Sequence, residues 1–119
     1  MKKYDFYPTR LITIALLLFS YLSLTNSCKK ASDVPGPNEV FIQGMAFDPS
    51  TITVTSGTTI TWTNNDGVPH TVTSTSLSDS FDSGSISNNE TFNHTFNTVG
   101  TITYKCTIHP SMTASVVVN

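Results

Sequence analysis

Four side chains carry the chemical interest of this 119-residue chain. Cys106, His109 and Met112 follow one another at intervals of three, in Cys106-Thr107-Ile108-His109-Pro110-Ser111-Met112, and His70 lies 36 residues before the cysteine. In a continued strand, side chains three apart point to opposite faces. A tight loop after a strand can instead turn all three toward one point. Thiolate, imidazole and thioether are an unusual mixture. Soft sulfur donors suit Cu(I) and imidazole also suits Cu(II), so a site holding both tolerates either oxidation state. Two histidines, one cysteine and a distant axial methionine form the blue-copper pattern.

That pattern needs a second histidine, and the chain has three: His70, His94 and His109. His70 sits in a turn-rich stretch, Asn64-Asn65-Asp66-Gly67-Val68-Pro69-His70, that delivers it at the start of a strand. His94 shares the parity of Phe92 and Phe96 and reads as a structural, hydrogen-bonded histidine. Taken singly, each residue has a plain reading: a buried cysteine is usually a small core residue and a methionine usually fills a gap. Their joint spacing favours a metal site over those readings. Met45 is expected either to line the apolar surroundings of the site or to pack in the core.

Strands must position these residues. Val40 and Ile42 share one parity, Met45 and Phe47 the other, and Gly44 between them suggests a bulge that shifts the register. Ile52 and Val54, Ile60 and Trp62, Phe92 to Phe96, Ile102 to Cys106, and Ala114 to Val118 all alternate, with threonine on many of the intervening positions. Period two in short runs predicts strands. Several such runs at close spacing predict an antiparallel sandwich or barrel. Residues 74–90 read as a long connection with one short strand near Phe81, pinned to the core by Leu77, Phe81 and Ile86.

The chain start has the pattern of an export signal. Lys2, Lys3 and Arg10 precede an apolar run from Leu11 to Leu24, too short for a stable bilayer span. Leu24-Thr25-Asn26-Ser27-Cys28 looks like a bacterial lipobox, so residues 1–27 are expected to be removed and Cys28 to carry lipid. Residues 28–38 then form a polar linker rich in Pro and Gly, and residues 39–119 the folded domain. A lipid tethers the domain to a membrane surface without spanning it. Cys106 is left as the one remaining cysteine, which in an exported chain suggests a reactive thiol or a metal ligand. Residues 28–119 carry three lysines against seven carboxylates, a net charge of −4. No basic patch with interleaved aromatics is present, which argues against nucleic acid as a partner.

The chain resembles the plastocyanin/amicyanin branch of the cupredoxins over nearly all of residues 39–119. The resemblance rests on Met45-Ala46-Phe47-Asp48-Pro49, Val54 to Trp62, Asn64 to Thr73, and Phe96 to Met112 with its short Cys-x-x-His-x-x-Met loop. It implies an all-β, eight-stranded Greek-key sandwich holding one copper ion. It implies His70, Cys106 and His109 as the strong ligands and Met112 as the weak axial one. The implied function is one-electron transport without enzyme chemistry, and the chain is expected to be a monomer; the export signal and Cys28 place it in the bacterial periplasm or cell envelope. Redox partners are expected to dock near His109 on a patch of Val68, Pro69, Ile108 and Pro110. A copper carrier that hands over the ion is the alternative. Thr71, where the family often has Asn, and Thr113-Ala114, where Gly often follows Met, depart from the pattern.

Overall fold

The computed structural model describes residues 34–119. The expected signal, residues 1–27, and Cys28 with the first part of the linker lie outside the described residues. Alternation of apolar side chains with threonine makes each strand two-faced, and two such sheets bury their apolar faces against each other. The strands are β1 (Glu39–Gln43), β2 (Ala46–Asp48), β3 (Thr51–Val54), β4 (Thr58–Asn64), β5 (Thr73–Ser74), β6 (Thr91–Phe96), β7 (Gly100–Lys105) and β8 (Thr113–Val118). They form two four-stranded sheets, ordered β2-β1-β4-β6 and β3-β8-β7-β5. This is the expected eight-stranded β-sandwich. One part of the expectation is corrected: β1 pairs with β4, and β3 with β8, in parallel. These partners are joined through intervening strands rather than by hairpins, so nothing forces them antiparallel.

The core lies between the sheets. Trp62 is fully buried at its centre, 5.6–6.2 Å from the rings of Phe81, Phe92, Phe96 and Tyr104. Its indole N–H donates to the Tyr104 hydroxyl at 3.2 Å. Burial pushes the Tyr104 hydroxyl pKa up to about 12, against the smaller lowering by the Trp62 bond, so it stays protonated. Ile102, Tyr104 and Cys106 are all buried on one face at the end of β7. Packing around Tyr104 therefore fixes the strand that presents the cysteine.

Three local expectations are corrected. Gly44 and Met45 have φ of 60° and 62° and join the paired residues Gln43 and Ala46. Two successive residues at positive φ make a tight hairpin turn of the primed kind, not a bulge. Met45 stands at the tip of that turn, 47% exposed, and packs in no core. In the long connection Phe81 and Ile86 are buried but Leu77 is fully exposed. Ser74 Oγ donates to the Asp79 carbonyl at 2.6 Å and accepts from Ser76 N–H at 3.1 Å, turning the chain so that Leu77 points outward. The expected strand near Phe81 reduces to two isolated bridges, Thr73 with Asp82 and His70 with Ile86.

Candidate metal centre

The β7–β8 connection begins at Cys106 and ends at Met112. Lys105 and Thr113 are already paired across the two strands, so the intervening residues must double back. Cys106 N–H donates to the Met112 carbonyl at 3.0 Å and Met112 N–H to the His109 carbonyl at 2.9 Å. These bonds close the loop and bring Cys106 and His109 together.

His70 arrives from the opposite side. The last residue of β4, Asn64, is fully buried and ties its loop together: its amide donates to the carbonyls of Val68 and Ile86, both at 2.9 Å. Its side-chain oxygen accepts from Asp66 N–H, an Asx turn that sharpens the corner. His70 then exchanges two backbone bonds with Ile86, of 3.1 and 2.8 Å, and its side chain is fully buried.

The result is a compact group of donors. His70 Nδ1 and His109 Nδ1 lie 3.1 Å apart, and each is 3.8 Å from Cys106 Sγ. The tautomer of His70 follows from its other nitrogen. His70 Nε2 is 3.0 Å from Asp66 Oδ2, and a carboxylate only accepts, so Nε2 carries the proton and Nδ1 turns its lone pair inward. Asp66 is itself gripped by Gly44 N–H at 2.7 Å and Met45 N–H at 3.0 Å. Burial alone raises the Asp66 pKa. The amides of Met45 and Gly44, then the interaction with His70, outweigh that and leave it below the usual 3.8. The sulfur accepts from Thr71 N–H at 3.3 Å and His109 N–H at 3.4 Å.

A first-row ion bonds imidazole nitrogen at about 2.0–2.1 Å and thiolate sulfur at about 2.3 Å. In a trigonal arrangement those lengths separate nitrogen from sulfur by about 3.8 Å, the spacing seen on both sides of Cys106. His70, Cys106 and His109 are therefore a group able to hold one ion. Two imidazoles and a thiolate suit copper in either oxidation state. Met112, 4% exposed, is buried at the far end of the same loop. His94 is elsewhere: it bonds Asp79 Oδ1 at 2.8 Å and packs against Phe81 and Phe96.

Residues 36–119 match the copper binding proteins of the plastocyanin/azurin family. The chain belongs to that family. It is 34% identical over 86 residues to Amicyanin-alpha of Methylorubrum extorquens, covering 70% of this chain and 72% of the relative. It is 39% identical over 87 residues to Halocyanin of Natronomonas pharaonis, covering 66% of this chain but only 53% of that protein. The cupredoxin also superposes on a reduced tryptophan-to-tyrosine variant of amicyanin with a TM-score of 0.65 at 27% identity, covering 76% of this chain and 87% of that one. A purple cupredoxin from Nitrosopumilus maritimus gives 0.62 at 28% identity, over 68% of this chain and 98% of that one.

Two residues around the site have roles that residue type and spacing alone do not announce. Asp66 and Asn64 both sit in a stretch whose Asn, Asp and Gly already account for a turn. The one available signal is that Asp66 stands four residues before His70, close enough to turn back on it. Asp66 yields a pH prediction for the metal-free cupredoxin. Its folded pKa is lowered, so its stabilising bonds are fully present above the usual 3.8 and are lost as pH falls through the lower folded value. Asp66→Asn should thus destabilise the protein at neutral pH. The gap to the parent should close in acid, in denaturant melts compared across pH. A gap that does not change with pH rules out the charge as the source.

Proposed function

We propose that this cupredoxin carries single electrons, with His70, Cys106, His109 and, more weakly, Met112 as the residues that would hold one copper ion. The observation that carries this reading is the His70–Cys106–His109 cluster, whose two Nδ1 atoms and one Sγ lie 3.1–3.8 Å from one another. When bound there, copper supplies a one-electron couple between Cu(I) and Cu(II). The chain's part is to keep the donors still. Asp66 holds the His70 ring and its tautomer, the two amides on Cys106 set the electron density of the sulfur, and the Asn64 network fixes the loop beneath. Donors that barely rearrange between oxidation states make electron exchange fast. Hydrogen bonds at the cysteine sulfur and the axial ligand tune the potential.

Partners dock, in this reading, at the end of the sandwich around His109. Val68 and Ile108 are 43% and 46% exposed there, flanked by exposed Pro69 and Pro110. The folded domain spans residues 39–119 and acts as a monomer without enzyme chemistry of its own. It is exported to the periplasm or cell envelope and held by lipid on Cys28. The anchor has a direct test: a radiolabelled lipid precursor should mark the native chain, and Cys28→Ala should abolish the label. An unlabelled native chain removes the anchor.

The decisive experiment is a visible spectrum and a voltammogram of the copper-loaded full chain. An intense thiolate-to-copper band with a reversible one-electron wave is expected. A colourless protein that yields its copper readily to chelators means a copper carrier instead.

A further inference from the structure

The cysteine loop is tied to the β4–β5 side of the site by a run of hydroxyl groups that ends on a carboxylate. Thr107 N–H donates to Thr71 Oγ1 at 2.8 Å, and the hydroxyls of Thr71 and Thr107 lie 3.0 Å apart. Thr71 Oγ1 is also 3.1 Å from Thr73 Oγ1, whose hydroxyl donates to Asp82 Oδ1 at 3.2 Å. Asp82 is held in turn by Gly84 N–H at 2.9 Å. Its segment is zipped to the threonines by Ser83 N–H to the Val72 carbonyl and Val72 N–H to Ser83 Oγ.

Each hydroxyl has one proton, and a carboxylate only accepts. Thr73 uses its proton on Asp82, so Thr71 must donate to Thr73. Thr71 then has none left, so Thr107 must donate to Thr71. All three hydroxyls point the same way, from the cysteine loop to Asp82, and Thr71 Oγ1 receives both groups of Thr107. Thr107 follows Cys106 directly, and Thr71 N–H donates to its sulfur.

We infer that Asp82, an exposed residue outside the metal site, is a positioning residue that sets the direction of the Thr73–Thr71–Thr107 chain and so clamps the cysteine loop. With its own proton committed to Thr73, whose proton goes to Asp82, the Thr71 hydroxyl is a pure acceptor toward both groups of Thr107. The inference deepens the electron-carrier reading and rests on it only for the potential.

The test uses the full chain with Thr71→Val, Thr71→Ser, Asp82→Ala and Asp82→Asn. The first readout is amide hydrogen exchange at Thr107 in the metal-free protein. Thr71→Val should speed it tenfold or more, and Thr71→Ser should restore it. Asp82→Ala should also speed it, whereas Asp82→Asn keeps a carbonyl acceptor and should not. The second readout is the potential of the copper-loaded protein. Both Asp82 variants remove the same charge, so a difference between them reports the chain alone. Asp82→Ala should lie lower, because a looser Thr71 N–H gives the sulfur less support for the reduced state. Equal exchange and equal potentials in the two Asp82 variants overturn the inference, as does unchanged Thr107 exchange in Thr71→Val. A parent protein that binds no copper overturns the electron-carrier reading, while the exchange data still decide the clamp.

Discussion

His70→Ala should abolish copper binding and its colour, while His94→Gln should leave both intact. The two histidines are chemically alike but differ in what surrounds them. His70 is fully buried, with Nδ1 facing Cys106 Sγ and His109 Nδ1 and Nε2 committed to Asp66. Alanine removes one of three strong donors and leaves nothing within the cluster to replace it. Changes to the groups that merely orient a ligand cost about 10–100-fold in metal affinity, so loss of the ligand itself should exceed that. Bound copper should fall well below one per chain after dialysis, with no intense visible band. The fold should survive with a cavity, since the Asn64 network and the two backbone bonds to Ile86 do not use the imidazole. His94 spends its Nε2 on Asp79 and its ring on Phe81 and Phe96. The amide of Gln can still donate to Asp79, so copper content and colour should match the parent. Copper analysis and absorbance on both variants check the pair. Copper retained without His70 and lost without His94 overturns the ligand assignment.

The contrast between these histidines is legible in the sequence, and the reason is periodicity. His94 lies at even spacing with Phe92 and Phe96, so its strand explains it. His70 follows a run of Asn, Asp, Gly and Pro, so a loop delivers it and packing gives no reason for its type. The inward faces of β4, β7 and β8 were legible on the same ground, because a period of two leaves one choice of buried set. Strand partners were not. Pairing β1 with β4 and β3 with β8 depends on which surfaces meet in the sandwich, and no local pattern encodes that. Short polar stretches misled for a related reason. Thr71-Val72-Thr73 alternates like a strand, yet Val72 N–H goes to Ser83 Oγ and the strand is only Thr73–Ser74. Leu77 looked like a core anchor because hydrophobicity is visible in a sequence. The Ser74 hydroxyl bonds that turn it outward are not. Asp66 shows the same limit at the metal site. Its role comes from two amides of the distant β1–β2 turn, Gly44 and Met45, which only the fold brings to it.

Met112→Leu should keep the intense colour of the copper-loaded protein and raise its reduction potential. The argument begins with charge. Cu(II) gains more from one additional donor than Cu(I) does, so a weak axial thioether stabilises the oxidised state preferentially, and the axial ligand is a known tuner of such sites. Met112 is the residue assigned that task in the proposed ligand set. It is 4% exposed, sits three residues past His109, and is fixed by backbone bonds that accept from Cys106 N–H and donate to the His109 carbonyl. Those bonds belong to the main chain and survive the substitution. Leucine has a similar volume and no donor atom, so repacking should cost less than about 1.5 kcal/mol. With the thioether gone, the oxidised state loses more than the reduced one and the potential moves up. A tenfold change in the balance between the two states corresponds to about 59 mV for a one-electron couple, well within the reach of voltammetry. Colour persists because it arises from the Cys106 sulfur, whose amide donors Thr71 and His109 are untouched. A denaturant melt of the metal-free variant separates packing from ligation: it should lie close to the parent while the potential does not. A potential that stays level or falls means Met112 only fills the core beneath the loop, and the axial position belongs to another group.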